Sequence, residues 1–231
     1  MSRELTDFIK EELFRQGAVL VGIGDLTGLP ADVREGLPVG ICVAAKYPAE
    51  IIQGIAELPT QEYYDWYTKL NEQLDAMVTF GAETLRAKGF QAVAKTRAVS
   101  GNGELVDNTT LPHKTVATRA GLGWIGKSAL FVNETYGSMI RISSILTDAP
   151  LETAVPVDRS KCGDCMICKE ACPAGAVSGR EWDVSLYRDE FFDVIKCRAT
   201  AKERSRRGFG SDHSVCGKCI EVCPYTRAAW G

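Results

Sequence analysis

The chain has 231 residues, 45% hydrophobic and 25% charged, with a formal net charge of −3. That is an ordinary globular composition, with no excess of either sign to draw nucleic acid or an anionic membrane as a bulk partner. No apolar run approaches the roughly 18 residues of a membrane helix. The start, Met1-Ser-Arg-Glu-Leu-Thr6, has neither an apolar signal core nor twin arginines, so a cytoplasmic location is expected.

The first predicted helix is capped by Ser2, carries Leu5, Phe8, Ile9 and Leu13 on its apolar face and stops at Gly17. Ala18 to Ile23 and Val39 to Ala45 read as buried strands. Cys42 falls inside the second and reads as a small buried hydrophobe. Thr60 caps a long helix with the stripe Tyr63, Tyr67, Leu70, Leu74, Met77 and Leu85, ending at Gly89. Phe90 to Ala94 reads as a strand, His113 to Ala120 as a helix ending at Gly121, and Met139 to Leu146 as a strand. These elements predict an α+β domain over residues 1–155, large enough for its own core.

One string inside this domain imitates a phosphate loop. Gly121-Leu-Gly-Trp-Ile-Gly126-Lys127-Ser128 satisfies G-x-x-x-x-G-K-[ST]. A true phosphate loop follows a buried strand and leaves backbone N–H groups open to the ligand. Here a helical segment precedes the string, and Trp124 and Ile125 are bulky for a phosphate cradle. A tight turn whose tryptophan packs on something flat is the plainer reading.

A proline- and aspartate-rich link, Asp148 to Asp158, leads to the second predicted domain, residues 156–231. Eight of the nine cysteines lie here, between Cys162 and Cys223. In a reducing compartment such clustering points to metal rather than disulfides. The run Cys162-Gly-Asp-Cys165-Met-Ile-Cys168-Lys-Glu-Ala-Cys172-Pro173 matches C-x2-C-x2-C-x3-C-P, the bacterial ferredoxin spacing. Three cysteines on a tight loop reach three irons of one cubane, and the fourth, expected to open a helix, points to the other cluster. The second run, Cys216-Gly-Lys-Cys219-Ile-Glu-Val-Cys223-Pro224, offers three cysteines, and Cys197 completes the set. The expected ligands are Cys162, Cys165, Cys168 and Cys223 for one [4Fe–4S] cluster, and Cys172, Cys197, Cys216 and Cys219 for the other. Paired zinc sites are the competing reading, but a zinc ribbon needs neither the four-cysteine run nor two Cys-Pro endings.

Ala120-Gly-Leu-Gly-Trp-Ile-Gly-Lys127, Tyr136-Gly-Ser138, Leu146-Thr-Asp148 and the two cysteine runs with Cys197 between them occur in order. Together they resemble epoxyqueuosine reductase, a cobalamin-dependent family related to the reductive dehalogenases. The resemblance covers roughly residues 90 to 225. It implies a nitroreductase-like cobalamin-binding domain followed by a double-cluster ferredoxin-like domain. It also implies cobalamin bound with its own base off cobalt, which fits the absence of a D-x-H-x-x-G signature. The electron donor would be a ferredoxin or flavodoxin. Counting back one helix from Ala120 places the family's catalytic aspartate at Asp107, where a carboxyl group in an apolar pocket would deliver protons. His113 is the second catalytic candidate. Lys114, Gly121, Gly123, Trp124, Gly126, Lys127 and Ser138 are the expected cofactor contacts.

Two departures point away from epoxyqueuosine in tRNA as the substrate. The helical-repeat extension of the tRNA-modifying members is absent after Cys223, and Leu111-Pro-His113-Lys114-Thr replaces a glutamate-containing stretch. The basic run Lys202 to Arg207 reads as a solvated loop, with contact to RNA or to an acidic electron donor as the alternative. The expected activity is reduction of a small molecule or nucleoside. The alternatives are reduction of a corrinoid on a partner protein, and a ferredoxin-type carrier without corrinoid.

Overall fold

The structure is a computed structural model and describes residues 2–96 and 110–230. It divides into two compact units, each drawn from several segments. The first comprises Met1–Ala45, Leu70–Gly123 and Arg141–Val157, and the second Lys46–Lys69, Trp124–Ile140 and Asp158–Gly231. The last change of unit, after Val157, lies close to the expected boundary near 155. The two earlier segments join the cysteine runs because their side chains pack on them, which no local composition shift announces.

The first unit is built on a four-stranded sheet of order β1-β2-β6-β3. Its strands are β1 (Leu20–Asp25), β2 (Val39–Lys46), β3 (Ala92–Lys95) and β6 (Ile140–Thr147). β1 pairs antiparallel with β2, placing Gly22 opposite Cys42 and Gly24 opposite Gly40. β3 pairs antiparallel with β6, placing Lys95 opposite Ser144. Helix α1 (Ser2–Arg15) buries Thr6, Ile9 and Leu13 and packs on β1. The long helix α3 (Gln61–Ala87) presents Leu70, Leu74, Met77 and Leu85 to the core. The short helix α4 (His113–Arg119) lies on the glycine-lined face of β1. A Cβ at Gly24 would meet the Arg119 carbonyl carbon at 2.6 Å, so that strand is bare where the helix crosses it.

The predicted elements all form, with ends displaced by one or two residues for identifiable reasons. β1 starts at Leu20 rather than Ala18, because the Ala18 N–H bonds back to the Leu13 carbonyl (3.2 Å) and closes α1. β3 starts at Ala92 because the Phe90 N–H bonds to the Leu85 carbonyl (3.2 Å). With Gly89 at φ +91, this is the left-handed stop expected there. Thr60 caps α3 as expected, its Oγ1 accepting from the Tyr63 N–H at 3.1 Å. Ser2 does not cap α1. It is the first helical residue, and its hydroxyl donates to the Pro150 carbonyl at 2.7 Å. Cys42 is fully buried, and burial pushes its thiol strongly up, as a core residue requires.

The second unit has little regular structure. It contains α2 (Ala49–Gln53), the hairpin of β4 (Trp124–Ile125) and β5 (Phe131–Val132), and α5 (Ile167–Glu170). α6 (Val194–Phe209), α7 (Lys218–Glu221) and α8 (Pro224–Ala228) complete it. The phosphate-loop lookalike is the turn of the β4–β5 hairpin, closed by the Gly126 N–H donating to the Leu130 carbonyl at 2.8 Å. No helix begins at Lys127 or Ser128, so the helix N-terminus that a bound phosphate needs is not there.

Candidate metal centre

Two loops carry the cysteines, and each is set by the turn that follows it. After Cys162, α5 spans one turn, Ile167–Glu170, and ends two residues before Cys172. Cys172 enters a reverse turn, with Gly175 N–H donating to its carbonyl at 3.1 Å. The expectation that Cys172 opens a helix is therefore corrected. Pro173 to Gly175 turn too sharply to start one. Cys223 does open a helix, as the N-cap of α8 with Pro224 behind it, where the missing N–H of proline is tolerated. Gly217 lets the second loop sit flat on the 55–63 segment, since a Cβ there would lie 2.2 Å from Ile55 Cδ1.

The eight cysteines of these loops and of α6 are all free thiols. Burial, followed by the Cys162, Cys165 and Cys223 thiols, pushes Cys168 up to about 11. Burial, followed by Cys216, Cys172 and Asp193, pushes Cys197 up to about 11. Cys219 is raised well above the ordinary range by burial, then by Cys216 and Cys197. Cys223 is raised by burial, against hydrogen bonds from Thr226 and Tyr225 that lower it. Cys168 thus stands near Cys162, Cys165 and Cys223, Cys197 near Cys216 and Cys172, and Cys219 near members of both expected sets, Cys168 included. Crowded, dehydrated thiols resist ionisation in proportion to the charge they would concentrate, and only a bound metal removes that resistance by deprotonating them outright.

A cavity of about 300 Å³ lies among Cys162, Cys165, Cys168, Cys219 and Cys223. Its volume is roughly tenfold a water's share of the liquid, about 30 Å³. Five thiols line this one volume, which has room for a polyatomic cluster, whereas zinc draws four ligands onto one ion. The Ala176 N–H also points to Cys172 Sγ at 3.4 Å, the kind of hydrogen bond that tunes an iron–sulfur centre.

Several residues expected to touch another cofactor stand at this cavity. Gly126, Lys127 and Ser128 form part of its wall. A Cβ at Gly126 would meet Val132 Cγ2 at 2.9 Å and Cys162 Sγ at 3.5 Å. Trp124 is fully buried and meets the Tyr225 ring edge-on at 4.9 Å. The Ser138 N–H donates to Thr226 Oγ1 at 3.0 Å, and a Cβ at Gly137 would lie 2.2 Å from the Thr226 backbone nitrogen. The Tyr136-Gly-Ser and Gly-Trp-Ile-Gly-Lys motifs thus brace the corner that follows Cys223. Sequence reasoning missed Val132, Tyr225 and Thr226. The Cys-Pro ending flagged the position of Tyr225 and Thr226, while nothing distinguishes Val132 from other strand valines.

The remaining candidates belong to the first unit. Gly121, at φ +68, faces the Val155 carbonyl, which a Cβ would meet at 2.7 Å; close packing accounts for the glycine there. Gly123 and Lys114 lie in the same unit. His113 is largely buried and shares a hydrogen bond with Ser144 Oγ at 2.9 Å through Nδ1. Burial, then Arg141 and Lys95, lower its pKa to about 4, against an opposing pull from Asp75. It is neutral at physiological pH and lacks the charged form of an imidazolium donor. Asp107 lies outside the described residues.

Comparison with known proteins follows the same division. Residues 161–226 match the family described as 4Fe-4S double cluster binding domain, so the C-terminal part of the chain is a double-cluster iron–sulfur domain. The chain is similar in sequence to epoxyqueuosine reductases. It is 32% identical to the Escherichia coli (strain K12) epoxyqueuosine reductase over 122 residues, covering 53% of this chain and 32% of that enzyme. The chain spans about a third of the length of that curated relative. The fold is shared with a solved epoxyqueuosine reductase bound to an epoxyqueuosine-modified tRNA stem loop, at TM-score 0.63 and 19% identity over 97% of this chain and 66% of that one. It is also shared with a solved reductive dehalogenase described as performing B12-dependent dehalogenation, at TM-score 0.72 and 18% identity over 99% of this chain and 34% of that one.

Proposed function

We propose that this protein is an iron–sulfur reductase in which two [4Fe–4S] clusters carry electrons to a base-off corrinoid, and that the reduced substrate is a small molecule or nucleoside. The observation that carries the reading is the cavity lined by Cys162, Cys165, Cys168, Cys219 and Cys223 within a stretch that matches a double-cluster domain. In this reading Cys162, Cys165, Cys168 and Cys223 hold one cluster, and Cys172, Cys197, Cys216 and Cys219 hold the other. Exchange of the last cysteine between the runs ties the two loops together and keeps the clusters close enough for electron transfer. Asp107 supplies the proton. A neutral His113 orients substrate or accepts a hydrogen bond rather than donating as an acid. Lys114, Gly121, Gly123, Trp124, Gly126, Lys127 and Ser138 are the residues proposed to contact the corrinoid. A corrinoid, when bound, supplies the strongly reducing metal. The shared fold of the B12-dependent dehalogenase supports its presence, and the tRNA complex of the other relative makes epoxyqueuosine in tRNA the first substrate to try. A ferredoxin or flavodoxin serves as donor.

The test is anaerobic purification with iron and sulfide reconstitution, followed by added cobalamin, gel filtration and a visible spectrum. The expected result is roughly eight irons per chain, with base-off cobalamin retained. Turnover on epoxyqueuosine-containing RNA or halogenated compounds then identifies the substrate. Retained cobalamin without turnover points to a corrinoid-reducing role toward a partner. Zinc in place of iron overturns the reading.

A further inference from the structure

Lys127 is a lysine in an unusual place. Only 3% of it is exposed, and it belongs to the wall of the cysteine cavity. Its Nζ donates to the carbonyls of Gly163 at 2.5 Å and Cys165 at 3.1 Å, and lies 3.9 Å from Met166 Sδ. Those carbonyls belong to the loop between the first and third cysteines. Its partners are neutral, and among the described residues no carboxylate forms an ion pair with it. A buried charge without a counter-charge is unfavourable, so a lysine held like this is matched to an anion that enters the cavity. A cubane with four thiolates is such an anion, and it becomes more negative when it takes up an electron.

Near the other quartet, Asp193 caps the helix that carries Cys197, accepting from the Lys196 N–H at 2.9 Å, and its carboxylate pairs at the surface with Lys196 Nζ at 3.2 Å. An exposed ion pair of that kind sets little net field.

We propose that Lys127 is a positioning residue: it holds the Cys162–Cys168 loop by its carbonyls and sets an ammonium beside the cluster of Cys162, Cys165, Cys168 and Cys223, making that cluster the more easily reduced of the two. This rests on the reading that each quartet holds a cluster. The first electron from a low-potential one-electron donor then resides on the Lys127 cluster, and the Cys197 cluster fills second. A buried cation stabilises the reduced, more negative state more than the oxidised one, because the low-dielectric wall screens it weakly.

The experiment is an EPR-monitored redox titration of the reconstituted full chain, with dithionite as reductant. The wild-type protein is expected to show two one-electron waves. Cys165→Ser should perturb the upper wave, which assigns it. Lys127→Met should move that wave down by a tenfold or larger change in the reduction equilibrium, which is 59 mV per tenfold for one electron, and leave the lower wave in place. Lys127→Arg, which keeps the charge, should restore most of the shift. If Lys127→Met does not load the cluster, Ser128→Asp puts a carboxylate into the same wall beside the intact lysine and should lower the same wave. An upper wave unmoved by both Lys127→Met and Ser128→Asp overturns the proposal, as does movement of the lower wave alone. Wild-type protein with no iron overturns the cluster reading instead, and is recognised by metal analysis before any titration.

Discussion

The two units reach order by different routes. In the first, a four-stranded sheet is faced by helices, and apolar side chains such as Ile9, Leu13, Ile41, Leu74 and Ile145 are sealed from solvent. Such a unit folds by burying apolar surface. In the second, three of the helices near the cysteines, α5, α7 and α8, are only four or five residues long. Isolated helices of that length are not stable in water. Exposed apolar side chains such as Met166, Ile167, Val184 and Ile195 also lie in this stretch. Its backbone is arranged around thiols, so the binding energy of the clusters is folding energy. One unit carries its own reason to fold, and the other borrows it from inorganic ions.

The sharpest way to break this contrast is to remove the clusters. Chelation of iron should abolish amide protection across residues 158–230 while β1, β2 and β6 stay protected, as read by hydrogen exchange. Uniform loss in both units would erase the distinction. Single substitutions sharpen it further. Cys168→Ser and Cys197→Ser should each cost one cluster and spare most of the other, as read by iron content and EPR.

A core deletion tests the opposite side. Ile41 and Ile145 are fully buried, so Ile145→Ala should destabilise the first unit by about 2–5 kcal/mol in denaturant unfolding, with iron content unchanged.

The buried imidazole predicts a pH effect confined to the first unit. His113 has a folded-state pKa of about 4, below the ordinary 6.5. Between those values the unfolded chain binds a proton that the folded chain refuses, so stability is complete above pH 6.5 and falls as pH drops toward 4. At 1.36 kcal/mol per pKa unit, the full loss is about 3 kcal/mol. His113→Gln should flatten that slope, and NMR should find the His113 ring neutral at pH 5. A charged ring at pH 5 would remove the effect. The smallest expected change is at the cap of α3. Thr60→Ala should cost about 1 kcal/mol in thermal unfolding, without altering the EPR signals of the clusters.

Local signals explain why so much of the fold was readable beforehand. Apolar spacing located α1, α3 and the strands, and the stop glycines Gly17, Gly89 and Gly121 closed three helices where expected. Strand starts slipped at Ala18 and Phe90, whose N–H groups close the preceding helices, Ser2 proved to be a helical residue rather than a cap, and Cys172 enters a turn rather than a helix. The cysteine spacing marked a double-cluster domain, and residues 161–226 match one. The motif residues are another matter. Gly126 and Lys127 line the Cys162 cavity and Ser138 braces the corner after Cys223, contacts that the motif string alone did not reveal. A motif string carries residue identity and order but not the direction in which a hairpin turn projects.

The amino-acid sequence by itself determined the element types, the helix stops, the burial of Cys42 and the double-cluster character of the cysteine runs, since each depends on neighbours within a few turns or on loop length. Only the tertiary structure decided that Trp124 to Val132 belong with the cysteine unit, that Lys127 is a buried cation without a carboxylate partner among the described residues, and that His113 is held neutral. Those facts depend on dehydration and on charges brought together from distant parts of the chain, and neither quantity exists until the chain has folded.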